Sequence, residues 1–257
     1  MEDRPLIAVA VGNTRTRVGR FDGKELRDPI SLPNSSVEDV VKAVMSAAES
    51  VHDPVILVSS VNEPVANAVC ERLKGAGQVA RLGEDLGLPL HHTLDDATTL
   101  GQDRALNAIG AFARTGQACV IIDAGTAVTV DFIDGVGTFH GGMIAPGLNM
   151  MLRALNEQTA ALPKVELAEP SAERGVYGKD TSHAMLLGVL TSVRGLVHAA
   201  IDRYAEAYGA YPQVIATGGD AALLFEHDDY VEHIVPDLQL IGIREAFIKA
   251  MQDESAE

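Results

Sequence analysis

The sequence predicts an α/β protein of two similar lobes, each opening with a β-hairpin and continuing into helices. Three observations carry that reading: a hairpin pattern that occurs twice, helical apolar periodicity filling the rest of each half, and a size that admits two small domains. At about 150 residues per domain, the chain of 257 residues fits one large domain or two small ones. Hydrophobic residues make up 47% and charged residues 22%, enough apolar material for packed cores and not the balance of a disordered chain.

The first hairpin begins with the apolar run Leu6 to Val11 and turns at Gly12-Asn13-Thr14. Thr16, Val18 and Arg20 then alternate up to Asp22-Gly23, where glycine accepts the positive φ of a tight turn. Val37, Val40, Val41 and Val44 predict a helix after the N-cap candidate Ser36, and Val65, Val69 and Leu73 a second after Asn62. Leu106, Ile109 and Phe112 form the face of a third, ending near Thr115-Gly116. The pattern then returns. Cys119 to Ile122 is an apolar strand, Asp123-Ala124-Gly125-Thr126 a polar turn, and Val128, Val130 and Phe132 alternate to Asp134-Gly135. Thr126 and Asp134 are spaced as Thr14 and Asp22 are, close to half a chain length later. Two α/β lobes, 1–115 and 116–257, follow from strands before helices, twice.

Charge and cysteine content narrow the function classes. With 20 basic against 36 acidic residues the net charge is −16, a field that repels phosphate backbones and anionic lipid, so neither nucleic acid nor a membrane is expected as partner. Apolar runs are interrupted by charge or glycine before the ~18 residues of a spanning helix. The start, MEDRPLIAVAVG, lacks the pattern of a secretory leader. Cys70 and Cys119 are too few for a disulfide framework and lack metal-ligand spacing. A cytoplasmic protein is the expectation.

Several short motifs could carry chemistry. Two small-residue turns at one cleft would cradle phosphate, since glycine lets backbone N–H groups approach an oxyanion. Neither turn has the lysine of a Walker A loop, and no G-x-G-x-x-G follows a strand. Asp103, in Gly101-Gln102-Asp103-Arg104, reads either as a helix cap or as a base beside a guanidinium. Asp123, at a strand end, reads either as a turn residue or as an oxygen ligand for a cation. Gly141 to Gly147 reads as a strand leaving its sheet through a glycine turn. Gly178-Lys179-Asp180-Thr181 precedes a long apolar helix capped by Asp180 or Thr181, and Thr217-Gly218-Gly219-Asp220 opens another. The neighbours His91 and His92 would face opposite sides of a strand, which disfavours a shared metal. The acidic residues from Asp253 to Glu257 read as a solvated tail.

In order along nearly the whole chain, these clusters resemble type III pantothenate kinase, a family of the acetate kinase/sugar kinase/Hsp70/actin superfamily. Gly12-Asn13-Thr14 resembles the first phosphate motif and Gly101-x-Asp103-Arg104 the pantothenate motif; Asp123-Ala124-Gly125-Thr126-Ala127-x-Thr129-x-Asp131 resembles the second phosphate motif. The resemblance implies duplicated ribonuclease H-like lobes with a nucleotide cleft between them, and phosphorylation of pantothenate by ATP with Mg2+. It implies Asp103 as general base, and Gly101, Gln102, Asp103, Arg104 and Thr181 at pantothenate. Val11, Gly12, Asn13, Thr14, Arg15, Thr16, Arg17 and Thr126 would contact ATP, and Asp123 would hold a monovalent cation, potassium or ammonium. A homodimer is the family's habit. The chain departs from the pattern at Ala10, where the first motif has an aspartate thought to organise magnesium, and at His92-Thr93-Leu94-Asp95-Asp96, which lacks the usual aromatic-x-Asn-Pro. Two other readings follow from that departure: a non-catalytic relative, or a kinase of the same superfamily acting on another small hydroxyl compound.

Overall fold

The computed structural model describes residues 5–254. The chain divides into two compact units. The first takes the chain up to Gly116, Gly137–Phe139 and the chain from Asp237 onward; the second takes Gln117–Val136 and His140–Pro236. The polypeptide leaves the first unit after Gly116 and returns to it for its last helix.

In the first unit, β1 (Leu6–Val11) pairs antiparallel with β2 (Arg15–Asp22), and β2 with β3 (Glu25–Pro33). On its other side β1 pairs in parallel with β4 (Val55–Ser60), followed by β5 (Gln78–Arg81), giving the sheet order β3-β2-β1-β4-β5. Every residue of β1 is buried, as expected for a central strand covered on both faces. Ile7, Val9 and Val11 pack with α1 (Val37–Glu49) and α2 (Glu63–Arg72), while Leu6, Ala8 and Ala10 face α3 (Gln102–Thr115) and α7 (Leu238–Glu254). The helix starts follow from local chemistry. Ser36 accepts from the Asp39 N–H and Asn62 from the Val65 N–H, each satisfying a donor that the first turn leaves open. Gly116, at φ 62°, ends α3 in the left-handed conformation that glycine adopts without a Cβ penalty.

The second unit repeats the plan. β7 (Cys119–Ala124) pairs antiparallel with β8 (Ala127–Ile133), with β9 (Thr138–Pro146) beyond it. On the other side β7 pairs in parallel with β10 (Gln213–Thr217), which pairs with β11 (His233–Ile234). The order β9-β8-β7-β10-β11 within its sheet matches that of the first unit. The two-residue strand β6 (His91–His92) pairs with Thr138 and Phe139, the part of β9 that belongs to the first unit. α4 (Leu148–Glu157), α5 (Thr181–Tyr208) and α6 (Ala221–Phe225) join the sheet in one core, with Met185, Val189, Val193 and Val197 of α5 against Val120, Ile122 and Val130.

Three expectations need correction. Gly141 and Gly142 lie inside β9 rather than in a turn; a Cβ on Gly142 would lie 2.3 Å from the Asp131 Oδ1, so glycine there makes room for a buried carboxylate. α5 is, by length and composition, long and apolar enough to cross a membrane. Gly188 and Arg194 do interrupt its apolar run, but the mean over an 18-residue window stays apolar across them. α7 reaches Glu254, into the expected tail, and the rest of that tail lies outside the described residues.

α3 and α7 touch at backbone distance. A Cβ on Gly242 would lie 1.9 Å from the Leu106 carbonyl oxygen, and one on Gly110 would lie 2.6 Å from the Leu238 carbonyl oxygen. Both obstacles are backbone, which does not swing aside. Gly242→Ala should therefore lose stability by about 1–3 kcal/mol, the range of core overpacking, despite alanine's better helix propensity. Chemical denaturation of the variant beside the parent measures it.

Candidate active site

The turn after β1 is fixed by its own backbone and by asparagines. The Gly12 N–H donates to the Arg15 carbonyl at 2.9 Å, and a Cβ on Gly12 would sit 2.9 Å from that oxygen. The Asn34 side chain accepts from the Thr16 hydroxyl at 2.8 Å and donates to the Gly12 carbonyl at 2.8 Å. The Asn62 side chain donates to the Asn13 carbonyl at 3.1 Å. Val11 and Thr16 are buried, while Asn13, Thr14 and Arg15 are exposed. Thus Thr16 supports the turn from beneath. Arg15 donates to the Ser31 Oγ and carbonyl, and Arg17 to Asp237 at 2.6 Å. Asn34 was not singled out in the sequence; an asparagine just beyond the third strand is an ordinary loop residue unless the turn it staples is known.

At the start of α3, the Gln102 side chain accepts from the Ser60 N–H and donates to the Leu82 carbonyl, pinning the helix to the ends of β4 and the following strand. Asp103 is not the cap: Gly101 is the N-cap residue, and the Asp103 Oδ1 accepts from the Arg104 N–H at 2.8 Å. Gly101 is tight against that carboxylate, where a Cβ would lie 2.5 Å from Oδ1. The Arg104 guanidinium lies 5.8 Å from the centre of the Phe139 ring, a cation–π distance. Gly101, Gln102, Asp103 and Arg104 are all half-buried. The helix N-terminus favours negative charge there.

In the second unit the turn is one residue shorter. The Gly125 N–H donates to the Ala127 carbonyl at 3.0 Å, and the carbonyl of exposed Thr126 accepts from the Gly147 N–H. Asp123 ends β7 beside Thr217 of β10. A Cβ on Gly218 would lie 2.6 Å from the Asp123 Oδ1 and 2.3 Å from the Ala124 carbonyl oxygen. Only glycine, here at φ +95°, leaves that carboxylate its cradle. Among the described residues, no three His, Cys, Asp or Glu side chains cluster as a metal site. Asp123, a single carboxylate given room by Gly218, fits an oxygen ligand for a cation. Thr181 is exposed at the start of α5, beside Asp180, whose side chain accepts from the His183 N–H at 2.8 Å. That contact and the Arg174 guanidinium hold the Asp180 carboxyl below its ordinary range.

Burial pushes the Asp220 carboxyl up. A carboxyl whose folded pKa is raised binds its proton more tightly in the folded state, so its contribution to stability falls as pH rises through its ordinary value. Asp220→Asn should raise Tm at neutral pH, and the gain should vanish below the usual carboxylate range. Thermal unfolding across pH, beside the parent chain, checks the sign.

A family model described as type III pantothenate kinase matches residues 6–203, which include both turns, Gly101 to Arg104 and Thr181. A type III pantothenate kinase of Jannaschia sp. is 36% identical over 248 residues, covering 93% of this chain and 95% of its own length. That of Syntrophotalea carbinolica is 30% identical over 258 residues, covering 95% and 98%. Among solved structures, the ethanolamine utilization protein EutJ from Carboxydothermus hydrogenoformans superposes with a TM-score of 0.55 at 14% identity, over 94% of this chain and 89% of that one, a likeness of fold. The repeated strand order, the paired glycine turns and this span of matched sequence place the chain in the type III pantothenate kinase family.

Proposed function

We propose that this chain transfers the γ-phosphoryl group of ATP to the hydroxyl of pantothenate, giving 4′-phosphopantothenate, the first step towards coenzyme A. The observation that carries the reading is the family match across residues 6–203. Phosphoryl transfer is governed by positioning and charge neutralisation more than by covalent chemistry of the protein. In this reading the Gly12 and Gly125 turns offer main-chain N–H groups and the side chains of Asn13, Thr14, Arg15 and Thr126 to the nucleotide. Val11, Thr16 and Arg17 hold the first turn in place. Gly101 to Arg104 and Thr181 take pantothenate, with the Arg104 guanidinium facing its carboxylate. The substrate oxygen attacks the γ-phosphorus, the bond to the ADP oxygen breaks, and the hydroxyl proton passes to Asp103. A divalent ion, when bound, neutralises phosphate charge; Asp123 is the carboxylate that would hold a cation at the second turn. A cytoplasmic homodimer is part of the same reading, as is potassium or ammonium at Asp123. The non-catalytic alternative raised by Ala10 has no further observation in its favour.

Two measurements test this. In a coupled assay with pantothenate and magnesium-ATP, Asp103→Asn should fold normally and lose roughly 10²-fold or more in kcat, the scale of general-base catalysis. Turnover at the parent rate would leave Asp103 a structural residue of the first helical turn. The parent's rate should also rise with potassium and respond poorly to sodium, whose smaller ion is more tightly hydrated. Equal rates in potassium, sodium and a bulky organic cation would remove Asp123 from cation binding.

A further inference from the structure

Ala10 has two polar neighbours in register on the strands beside it, Arg17 on β2 and Ser59 on β4. In-register partners on adjacent strands project to the same face of a sheet. That face is the one covered by α3 and α7: Ala10 packs with Leu106 and Leu240, and Arg17 reaches Asp237 at the start of α7. Ser59 is fully buried and its Oγ has no hydrogen-bond partner among the described residues. The Arg17 Nε is also buried without a partner, although the terminal Nη2 of the same group is paired with Asp237. Both orphans flank one methyl group.

Their chemistry defines what is missing. A guanidinium Nε–H only donates, and a serine hydroxyl donates as well as accepts, so the common partner is an acceptor. A buried donor without one costs about 1–3 kcal/mol, and more when it is charged. Neighbouring strands lie about 4.8 Å apart, which puts the Arg17 and Ser59 backbones about 10 Å apart across β1. A group with two acceptor oxygens, each accepting one bond of about 2.7–2.9 Å, could serve both donors. Of these groups Arg17 alone meets solvent, its side chain being 27% exposed, so it is the side from which a small ion could approach.

We propose that the polar notch at Ala10 binds a small carboxylate of formate size, held by the Arg17 Nε–H and the Ser59 hydroxyl. The site lies at the carboxyl end of β1, directly before the Gly12 turn, and its occupancy would stiffen the strand end that carries that turn.

The probe is sodium formate against sodium chloride at constant ionic strength, read by thermal unfolding of the full chain. Formate at ten times its dissociation constant should raise Tm by about 3–6 °C. Ser59→Ala removes one of the two donors and should abolish most of that rise. Ala10→Asp supplies the carboxylate from the chain itself, so it should raise Tm in chloride and no longer respond to formate. Identical unfolding of the parent in formate and chloride would overturn the proposal and leave the orphaned donors to water. So would an Ala10→Asp chain that folds with a lowered Tm and keeps its formate response. If Ala10→Asp fails to fold, the parent and Ser59→Ala titrations decide alone. None of these readouts uses kinase activity, so failure here is separate from failure of the functional reading.

Discussion

Each sheet depends on one strand that is antiparallel to its neighbour on one side and parallel on the other: β1 in the first unit and β7 in the second. That mixed pairing brings a tight hairpin turn and the carboxyl end of a parallel strand out at the same edge. In the first unit the Gly12 turn thus emerges beside Ser59 and Ser60, and Gln102 ties the start of α3 to that edge through the Ser60 N–H. In the second, the Gly125 turn emerges beside Thr217. Exposed main-chain donors and strand-end side chains are thereby gathered without any long loop having to be ordered.

Close backbone approach holds these edges rigid, and it explains glycines that a reading for turns alone misplaces. A Cβ on Gly147 would lie 2.1 Å from the Gly125 carbonyl oxygen, so the start of α4 lies directly against the second turn. Gly218 does the same to Ala124, bringing the segment after β10 against the end of β7. Side chains would separate these backbones by several ångströms and leave the turns to move as ordinary loops. The small residues are the condition for turns held this tightly against neighbouring backbone.

The duplication, the hairpins and the helix caps at Ser36 and Asn62 were legible because each rests on local chemistry: strand alternation, turn glycine, and a side-chain oxygen before an apolar periodicity. What was not legible depends on long-range placement. Asn34 staples a turn more than twenty residues upstream, and nothing in its own neighbourhood says so. The return of the chain after Pro236 to pack α7 on α3 hangs on Gly110 and Gly242, which read singly as weak points in two helices. Asp103 read as either a cap or a base, but Gly101 occupies the cap position and the carboxylate lies two residues further in. The identities of the motif residues were readable; their partners were not.

A net charge of −16 sets the last problem, because a phosphate ligand must find local positive potential on an acidic chain. The two copies of the hairpin solve it with opposite signs. On β2, Arg15 has no carboxylate partner among the described residues and bonds to the neutral oxygens of Ser31, whereas the charge of Arg17 is offset by Asp237. Beside the second turn the charge is negative instead: Asp123 stands one residue before the end of β7. A phosphate would meet positive side-chain charge at the first turn and a carboxylate at the second, so the proposed reading calls for a cation beside Asp123. The duplicated hairpin thus keeps a glycine turn at the end of each central strand, while the side chains beside the two turns differ in the sign of their charge.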